Sequence, residues 1–320
     1  SYYDKVRPVI VEILKKEQHI SKEILQEYAQ KYKVCPFELS LDVSMYCDGV
    51  ICDYNYMLDP RVKLTRLSES SGNIVLIDEA HNLVNRAREM YSARLSKQMI
   101  MECKKITKGK LSKLHGILNK INTYFIGLRN ECEEYEKSWF YENEAPKDLI
   151  KLLSLFTNES EKFLLSGNKF EGYNDILDLY FEINKFISMM QLYDANYVTC
   201  IEREAQEIIL TIYCVNPAKN IKSYLSKFHT AIFFSATLSP IRYYVDIFGG
   251  DEKSYRMKLP SPFNKDNLKV FVSPINIRYK HRKRTLKHVV DKILSFVKEE
   301  KGNYMIFAPS YNYMNLLWEE

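Results

Sequence analysis

Ile74-Val75-Leu76-Ile77-Asp78-Glu79-Ala80-His81 decides the reading of this chain. Four apolar residues opened by a Gly72-Asn73 turn signal predict a short strand of the kind buried in a parallel sheet. The run ends on two adjacent carboxylates, and in open α/β folds ligands bind at the carboxyl edge of the strands. Phosphoryl transfer needs such a pair at such an edge. Asp78 is expected to hold Mg²⁺ so that the metal bridges phosphate oxygens, and Glu79 to position the attacking water as base. His81 lies two residues on, within reach of a hydrogen bond across the cleft to a neighbouring element. On these residues alone the competing reading is a polar helix N-terminus with Asp78 as its cap.

A second constellation lies far downstream at Phe233-Phe234-Ser235-Ala236-Thr237-Leu238-Ser239-Pro240. It reads as a buried strand, then small hydroxyl residues, then a helix opening at Pro240. The Ser235 and Thr237 hydroxyls either bridge the carboxylates to a nucleic-acid-contacting loop or serve as ordinary strand-to-helix caps. Upstream, Val50-Ile51-Cys52 is short and apolar like another parallel strand. Residues 1–30 place Val6, Ile10, Ile13 and Leu14, then Ile24, Leu25 and Tyr28, at helical spacing, which predicts two helices with Ser21 as the second N-cap.

From about Tyr91 to Ala205 the pattern changes to long helical periods rich in Lys and Glu, and an insertion made of helices is expected. Leu111, Leu114, Leu118, Ile121, Phe125, Leu128, Cys132 and Tyr135 form an a/d seam that calls for a partner helix. Strand-type sequence returns at Ile208–Tyr213 and Ala231–Phe234, with a short helix over Ile221–Phe228 between them. Beyond Pro260-Ser261-Pro262-Phe263, Val270–Val272, a helix from Thr285 to about Lys298, Tyr304–Phe307 and a last helix after Ser310 predict the opening of a second parallel sheet. The densest basic run, Lys280-His281-Arg282-Lys283-Arg284, is either a solvated helix start or a phosphate-contacting loop.

At 320 residues with 46% hydrophobic content the chain has room for roughly two domains of ~100–200 residues each. With 27% charged residues and a net charge of +5, disorder is not expected; with no apolar run of ~18 residues, neither is a membrane span. The first residues lack a signal-peptide pattern, and seven cysteines without a C-x-x-C pair are expected to be reduced thiols, so a soluble, intracellular protein is expected.

Ile77-Asp78-Glu79-Ala80-His81-Asn82-Leu83, Phe234-Ser235-Ala236-Thr237-Leu238-Ser239-Pro240 and Leu259-Pro260-Ser261-Pro262-Phe263, in that order, resemble the iron–sulfur DNA helicases of the DinG/XPD type in superfamily 2, with their DEAH box. Cys35-Pro36, followed by Cys52-Asp53-Tyr54-Asn55-Tyr56-Met57-Leu58-Asp59-Pro60, is similar to that family's stretch from its last cluster cysteine to a tyrosine-rich strand before the box. Gly302–Tyr311 resembles the opening strand of its second motor domain. The resemblance implies an α/β fold: a partial RecA-like parallel-sheet motor domain with a large all-helical arch insertion, and the start of a second RecA-like domain.

Laid on this chain, it gives a helical remnant of the iron–sulfur domain at 1–34, the first motor domain at 35–90 and 206–265, the arch at 91–205 and the second motor domain from 266 to 320. It further implies an ATP- and Mg²⁺-dependent helicase acting 5′ to 3′ on single-stranded and forked duplex DNA in repair or replication. The protein would be monomeric and cytoplasmic, beside the nucleoid if bacterial. Cys35 matches one ligand of a [4Fe–4S] cluster, Asp78, Glu79 and His81 the catalytic set, and Ser235, Ala236 and Thr237 the coupling motif. Tyr54, Tyr56, Arg242, Arg282 and Arg284 are candidates for contact with DNA.

Two departures stand beside the resemblance. No G-x-x-x-x-G-K-[ST] phosphate loop occurs in the chain, and the family's late arginine motif is missing. The chain is therefore expected to be a piece of a longer enzyme, starting after the third cluster cysteine and inactive by itself. The alternative is an inactive nucleic-acid-binding or regulatory module of helicase-like shape. An RNA helicase of the broader DEAH group fits the box but not the long insertion.

Overall fold

A computed structural model describes residues 2–64, 72–134, 136–167, 170–299 and 301–320. The chain divides into two compact units, Ser1–Arg256 and Met257–Glu320. Among the described residues no helix is long and apolar enough to cross a membrane.

The first unit opens with α1 (Tyr2–Lys16), α2 (Lys22–Tyr32) and α3 (Pro36–Ser44). Ser21 caps α2 as its sequence predicts, accepting from the Ile24 amide, and the helix stops where Lys33 turns left-handed. Val6, Val9, Ile10 and Ile13 close on Ala29, Leu39 and Val43 to form a small core of their own. Val9 is fully buried there, whereas Leu14, expected inside, is 38% exposed. Because α3 contributes Leu39 and Val43, this lobe packs past residue 34, the expected limit of the helical remnant.

Glu12 ties α1 to α2: its carboxylate accepts from Lys16 Nζ at 2.8 Å, from the Tyr32 hydroxyl and from Lys31 Nζ at 3.0 Å. Lys16 first, then Tyr32 and Lys31, hold the carboxyl at about 2 against an ordinary 4.5. The folded value lies below the unfolded one, so the contribution to stability is whole above about pH 4.5 and is lost as the pH falls through about 2. A carboxyl ¹³C titration of Glu12 should have its midpoint near 2, and Glu12→Gln should remove that part of the acid sensitivity of the lobe. A midpoint at the ordinary value would refute the clasp.

Beyond this lobe the expected Val50-Ile51-Cys52 strand does not form. Ile51 is fully exposed and the run joins neither described sheet, so its backbone stays with solvent. Tyr54 and Tyr56 do not lie on a strand either. Asp53 accepts from the Asn55 amide and starts α4 (Tyr54–Leu58), the cap prevailing over the strand preference of the tyrosines. The unit continues with β1 (Ile74–Ile77), α5 (Leu83–Met90), β2 (Ala93–Ser96), α6 (Lys97–Thr107), α7 (Ser112–Glu134), β3 (Trp139–Glu142), α8 (Lys147–Leu165) and α9 (Tyr173–Met190). It ends with β4 (Tyr197–Glu204), β5 (Glu207–Cys214), α10 (Ala218–Leu225), β6 (Thr230–Phe233) and α11 (Ile241–Ile247).

Two sheets result. β1 and β6 pair in parallel, Ile74 opposite Thr230 through to Ile77 opposite Phe233. β1 forms as predicted but is covered on one face only: Val75 and Ile77 are buried, while Ile74 and Leu76 are exposed. The other sheet is antiparallel, in the order β2-β5-β4-β3. The insertion is thus not all-helical, since β2, β3 and β4 lie within 91–205. β5, which the sequence reading assigns to the resumed motor sheet, is instead the hairpin partner of β4. Its alternation explains this: Ile208, Leu210, Ile212 and Cys214 are buried and the residues between them are not, the mark of a sheet covered on one side.

The a/d seam holds. Leu114, Leu118, Ile121, Phe125, Leu128 and Cys132 are buried along α7, which packs on α6 and α8, and Leu111 is half-buried just before it. Tyr135 lies outside the described residues. One continuous core joins this insertion to Val75 and Ile77 of β1 and to Phe248 after α11.

The second unit contains α12 (Arg282–Glu299) and α13 (Tyr311–Glu319), the latter capped by Ser310, which accepts from the Tyr313 amide at 3.2 Å. The expected strands at 270–272 and 304–307 join no described ladder, so the predicted second parallel sheet is not formed among the described residues. Phe271 and Tyr304 instead meet Phe296 of α12 edge-on, at 6.4 and 6.1 Å between ring centroids. Phe271, Met305 and Phe307 remain exposed, too little burial to offset the entropy of fixing two short strands.

Candidate active site

The parallel pairing of β1 with β6 brings two loops, 154 residues apart in sequence at their closest side-chain contact, to the same sheet edge. The pairing runs one step beyond the strands: the Phe234 amide donates to Ile77 O at 3.0 Å, and the Ala80 amide donates to Phe234 O at 3.1 Å. Between these bonds the chain turns sharply. Glu79 sits in the left-handed region at φ 46°, ψ 42°, a conformation that costs a non-glycine residue roughly 1–2 kcal/mol. Asp78 accepts the Glu79 amide on Oδ1 at 2.7 Å, so it serves its own turn and does not cap the short helical turn over Ala80–Asn82.

His81 Nδ1 lies 2.7 Å from Ser235 Oγ and 3.2 Å from Glu79 Oε2. A carboxylate oxygen only accepts, so a bare Nδ1 lone pair would set two acceptors against each other. We assign a proton to Nδ1 from this network. Ser235 Oγ then accepts from His81 and from the Thr237 amide at 3.2 Å, and donates to Glu79 Oε2 at 3.3 Å. One hydroxyl is thereby fully used, and it is the only described bridge through which the two loops' side chains meet Glu79 and His81 together. The capping reading of Ser235 falls away, because the N-cap of α11 is Pro240. Ala236 and Thr237 are exposed in the turn that carries Ser235.

Of the remaining predicted residues, the fold brings one to this loop. The Tyr54 hydroxyl donates to the carbonyl oxygens of Asp78 and of Glu79, the latter at 3.2 Å. Burial first, then the Asp78 and Glu79 charges, raise its pKa above the ordinary tyrosine value, so it stays a donor. Tyr56 turns elsewhere, its ring 6.3 Å from Phe37. Arg242 is exposed on α11. In the second unit Arg282 is folded onto its own surroundings, its guanidinium 5.1 Å over the Tyr313 ring and its Nε donating to Ile277 O, while Arg284 is exposed. The tie of Tyr54 to main-chain carbonyls was not among the sequence expectations, because carbonyl acceptors leave no trace in residue identity.

The two implied metals fit differently. Mg²⁺ keeps several waters and takes one or two protein carboxylates; the exposed Asp78, with one oxygen held by its own turn, suits it as such a ligand. Cys35 is exposed at the start of α3. A cluster needs about four thiolates, and among the described residues no group of three or more His, Cys, Asp or Glu side chains can hold a metal ion. The described residues therefore supply no cluster cage.

The DEAD_2 family model matches residues 2–100. The XPD/RAD3 helicase subunit of general transcription and DNA repair factor IIH from Saccharomyces cerevisiae is 22% identical over 396 aligned residues, covering 98% of this chain and 50% of that protein. The ATP-dependent DNA helicase CHL1 of Vanderwaltozyma polyspora is 22% identical over 332, covering 90% and 39%. A Fanconi anemia group J protein homolog from Gallus gallus is 32% identical over 78 residues, covering 24% of this chain and 6% of that protein. The chain spans half or less of the length of these curated relatives. Matched from its first helix through the Asp78-Glu79-Ala80-His81 loop and aligned nearly end to end with XPD/RAD3, the chain is similar to the XPD-type helicases of superfamily 2.

Proposed function

We propose that this chain carries the metal-and-water half of an ATP-hydrolysing site that drives 5′-to-3′ movement along single-stranded DNA and opening of forked duplexes, in DNA repair or replication. The observation that carries the reading is the Glu79–Ser235–His81 contact, which ties two loops together at the carboxyl edge of adjacent parallel strands. Asp78 receives Mg²⁺, which when bound with nucleotide neutralises phosphate charge. Glu79 orients the attacking water and takes its proton. His81, Ser235 and Thr237 pass the state of that site to the loop that follows β6. DNA as the track is supported by relatives whose names describe DNA helicases and DNA repair factors.

In the same reading the mixed helix-and-sheet insertion stands for the arch, and Met257–Glu320 for the opening of a second motor domain. A [4Fe–4S] cluster in the longer protein would take Cys35 as one thiolate. Arg242 and Arg284, both exposed, with Arg282 and Tyr56, remain candidates for contact with DNA. The protein is assigned to the cytoplasm as a monomer. Because no G-x-x-x-x-G-K-[ST] string lies within these 320 residues, we assign them negligible turnover by themselves.

The test is strand separation by the full-length protein on duplexes with a 5′ or a 3′ single-stranded tail, with and without ATP. Separation that needs both ATP and the 5′ tail supports the reading; no ATP-dependent separation on either substrate sinks it. Ser235→Ala removes one charge-assisted bridge, so unwinding should fall roughly tenfold to a hundredfold, with a smaller loss in DNA-free ATP turnover. Equal losses in both assays would place Ser235 in hydrolysis and not in coupling.

A further inference from the structure

We infer that Tyr54 is the positioning residue for Glu79: its hydroxyl holds the Asp78 and Glu79 carbonyls and so keeps the loop in the left-handed turn that aims the carboxylate at Ser235 and His81. The chemical consequence rests on the hydrolytic reading above; the geometry does not. The two carbonyls belong to successive peptide planes, and the angle between those planes is set by φ and ψ of Glu79, 46° and 42°. Each plane is held at both ends. The first has its N–H on Asp78 Oδ1 and its carbonyl on Tyr54; the second has its N–H on Phe234 O and its carbonyl on Tyr54 and on the Asn82 amide, the latter at 2.9 Å. Tyr54 is thus the one group shared by both planes. A sparsely populated backbone conformation persists where its surroundings over-determine it, and removing the shared anchor leaves the first plane tethered only through its N–H and uncouples it from the second, which the Phe234 carbonyl and the Asn82 amide still hold.

The anchor is itself fixed. Asp53 caps the helix that begins at Tyr54, and Arg61 grips Asp59 at the far end with two bonds, Nε at 3.0 Å and Nη2 at 2.8 Å. The ring packs against the main core while the hydroxyl reaches the loop. This use of Tyr54 competes with its candidacy for base stacking, since a hydroxyl committed to two carbonyls holds the ring in place beside the site.

Tyr54→Phe in the full-length protein keeps the ring and removes only the hydroxyl. Two measurements separate the inference from the reading on which it rests. In hydrogen exchange, the amides of Glu79–His81 should open about tenfold faster while those of Val75–Ile77 are unchanged; unchanged exchange at Glu79–His81 overturns the inference whatever the activity does. In steady-state kinetics with saturating single-stranded DNA, kcat for ATP should fall at least about tenfold with KM for ATP within about twofold. Full kcat, or a loss confined to DNA affinity, overturns the positioning role. If exchange responds while Glu79→Gln retains turnover, the placement stands and the hydrolytic reading fails.

Discussion

Glu79→Gln in the full-length protein should lower kcat for DNA-stimulated ATP turnover about 10²- to 10⁴-fold, with single-strand affinity within about twofold. The substitution is close to isosteric, and a glutamine oxygen can still accept from Ser235 and from the His81 Nδ1 proton, so the loop contacts at 3.3 and 3.2 Å have a replacement. What the amide cannot do is take a proton from water. The loss therefore reports on the base, not on the fold of the turn, and single-strand affinity should be spared. Glu79→Ala serves as the contrast: it removes the carboxylate from the Ser235–His81 network as well, so it should also quicken amide exchange at Ala80 and His81. Turnover retained in Glu79→Gln would remove Glu79 from the role of base and, with it, the strongest functional assignment made for this chain.

The Asp78–His81 loop was legible because its information is local. An apolar run with a turn before it and two carboxylates after it states a strand, an edge and a chemistry within eight residues, and Phe233–Pro240 does the same for the facing loop. That the two face each other follows from β1 pairing with β6, which neither apolar run states by itself. Tyr54 could not be read in this way. Its hydroxyl acts on carbonyls 24 and 25 residues away, and any residue presents a carbonyl. The antiparallel sheet was missed for another reason. Its strands are flanked by long helical periods, and the β4–β5 hairpin turns on Ala205-Gln206, with Ala205 at φ 53°, where a glycine or asparagine would have announced the turn. At Val50–Cys52, 270–272 and 304–307 apolar composition was read as strand, but a strand also needs a paired neighbour, and composition carries no record of one.

Phe125→Ala should destabilise the first unit by about 3–5 kcal/mol, the usual cost of emptying a fully buried aromatic site. The ring is at 0% exposure in the middle of the α7 seam, between helices that pack on both sides, so backbone segments can close the hole only by moving α6 or α8. The core is continuous from that seam through Leu95 and Met90 to Val75 and Ile77, which lie under the Asp78-Glu79 turn. The loss should therefore appear as one transition covering the part of the first unit built on this core, from Leu58 to Phe248. A urea midpoint lower by about 1 M or more is expected at the slopes typical of unfolding. Phe181 on α9 is 59% exposed and makes the control, since Phe181→Ala should stay within about 0.5 kcal/mol. If Phe125→Ala instead melts α6–α9 alone, with the amides of Val75 and Ile77 keeping their protection, the insertion folds as a separate body. The core contacts between it and β1 would then carry no cooperativity, and mutations in the seam could not be expected to reach Glu79. A single transition would mean that the stability of the Asp78-Glu79 turn depends on the helical seam as well as on its own hydrogen bonds.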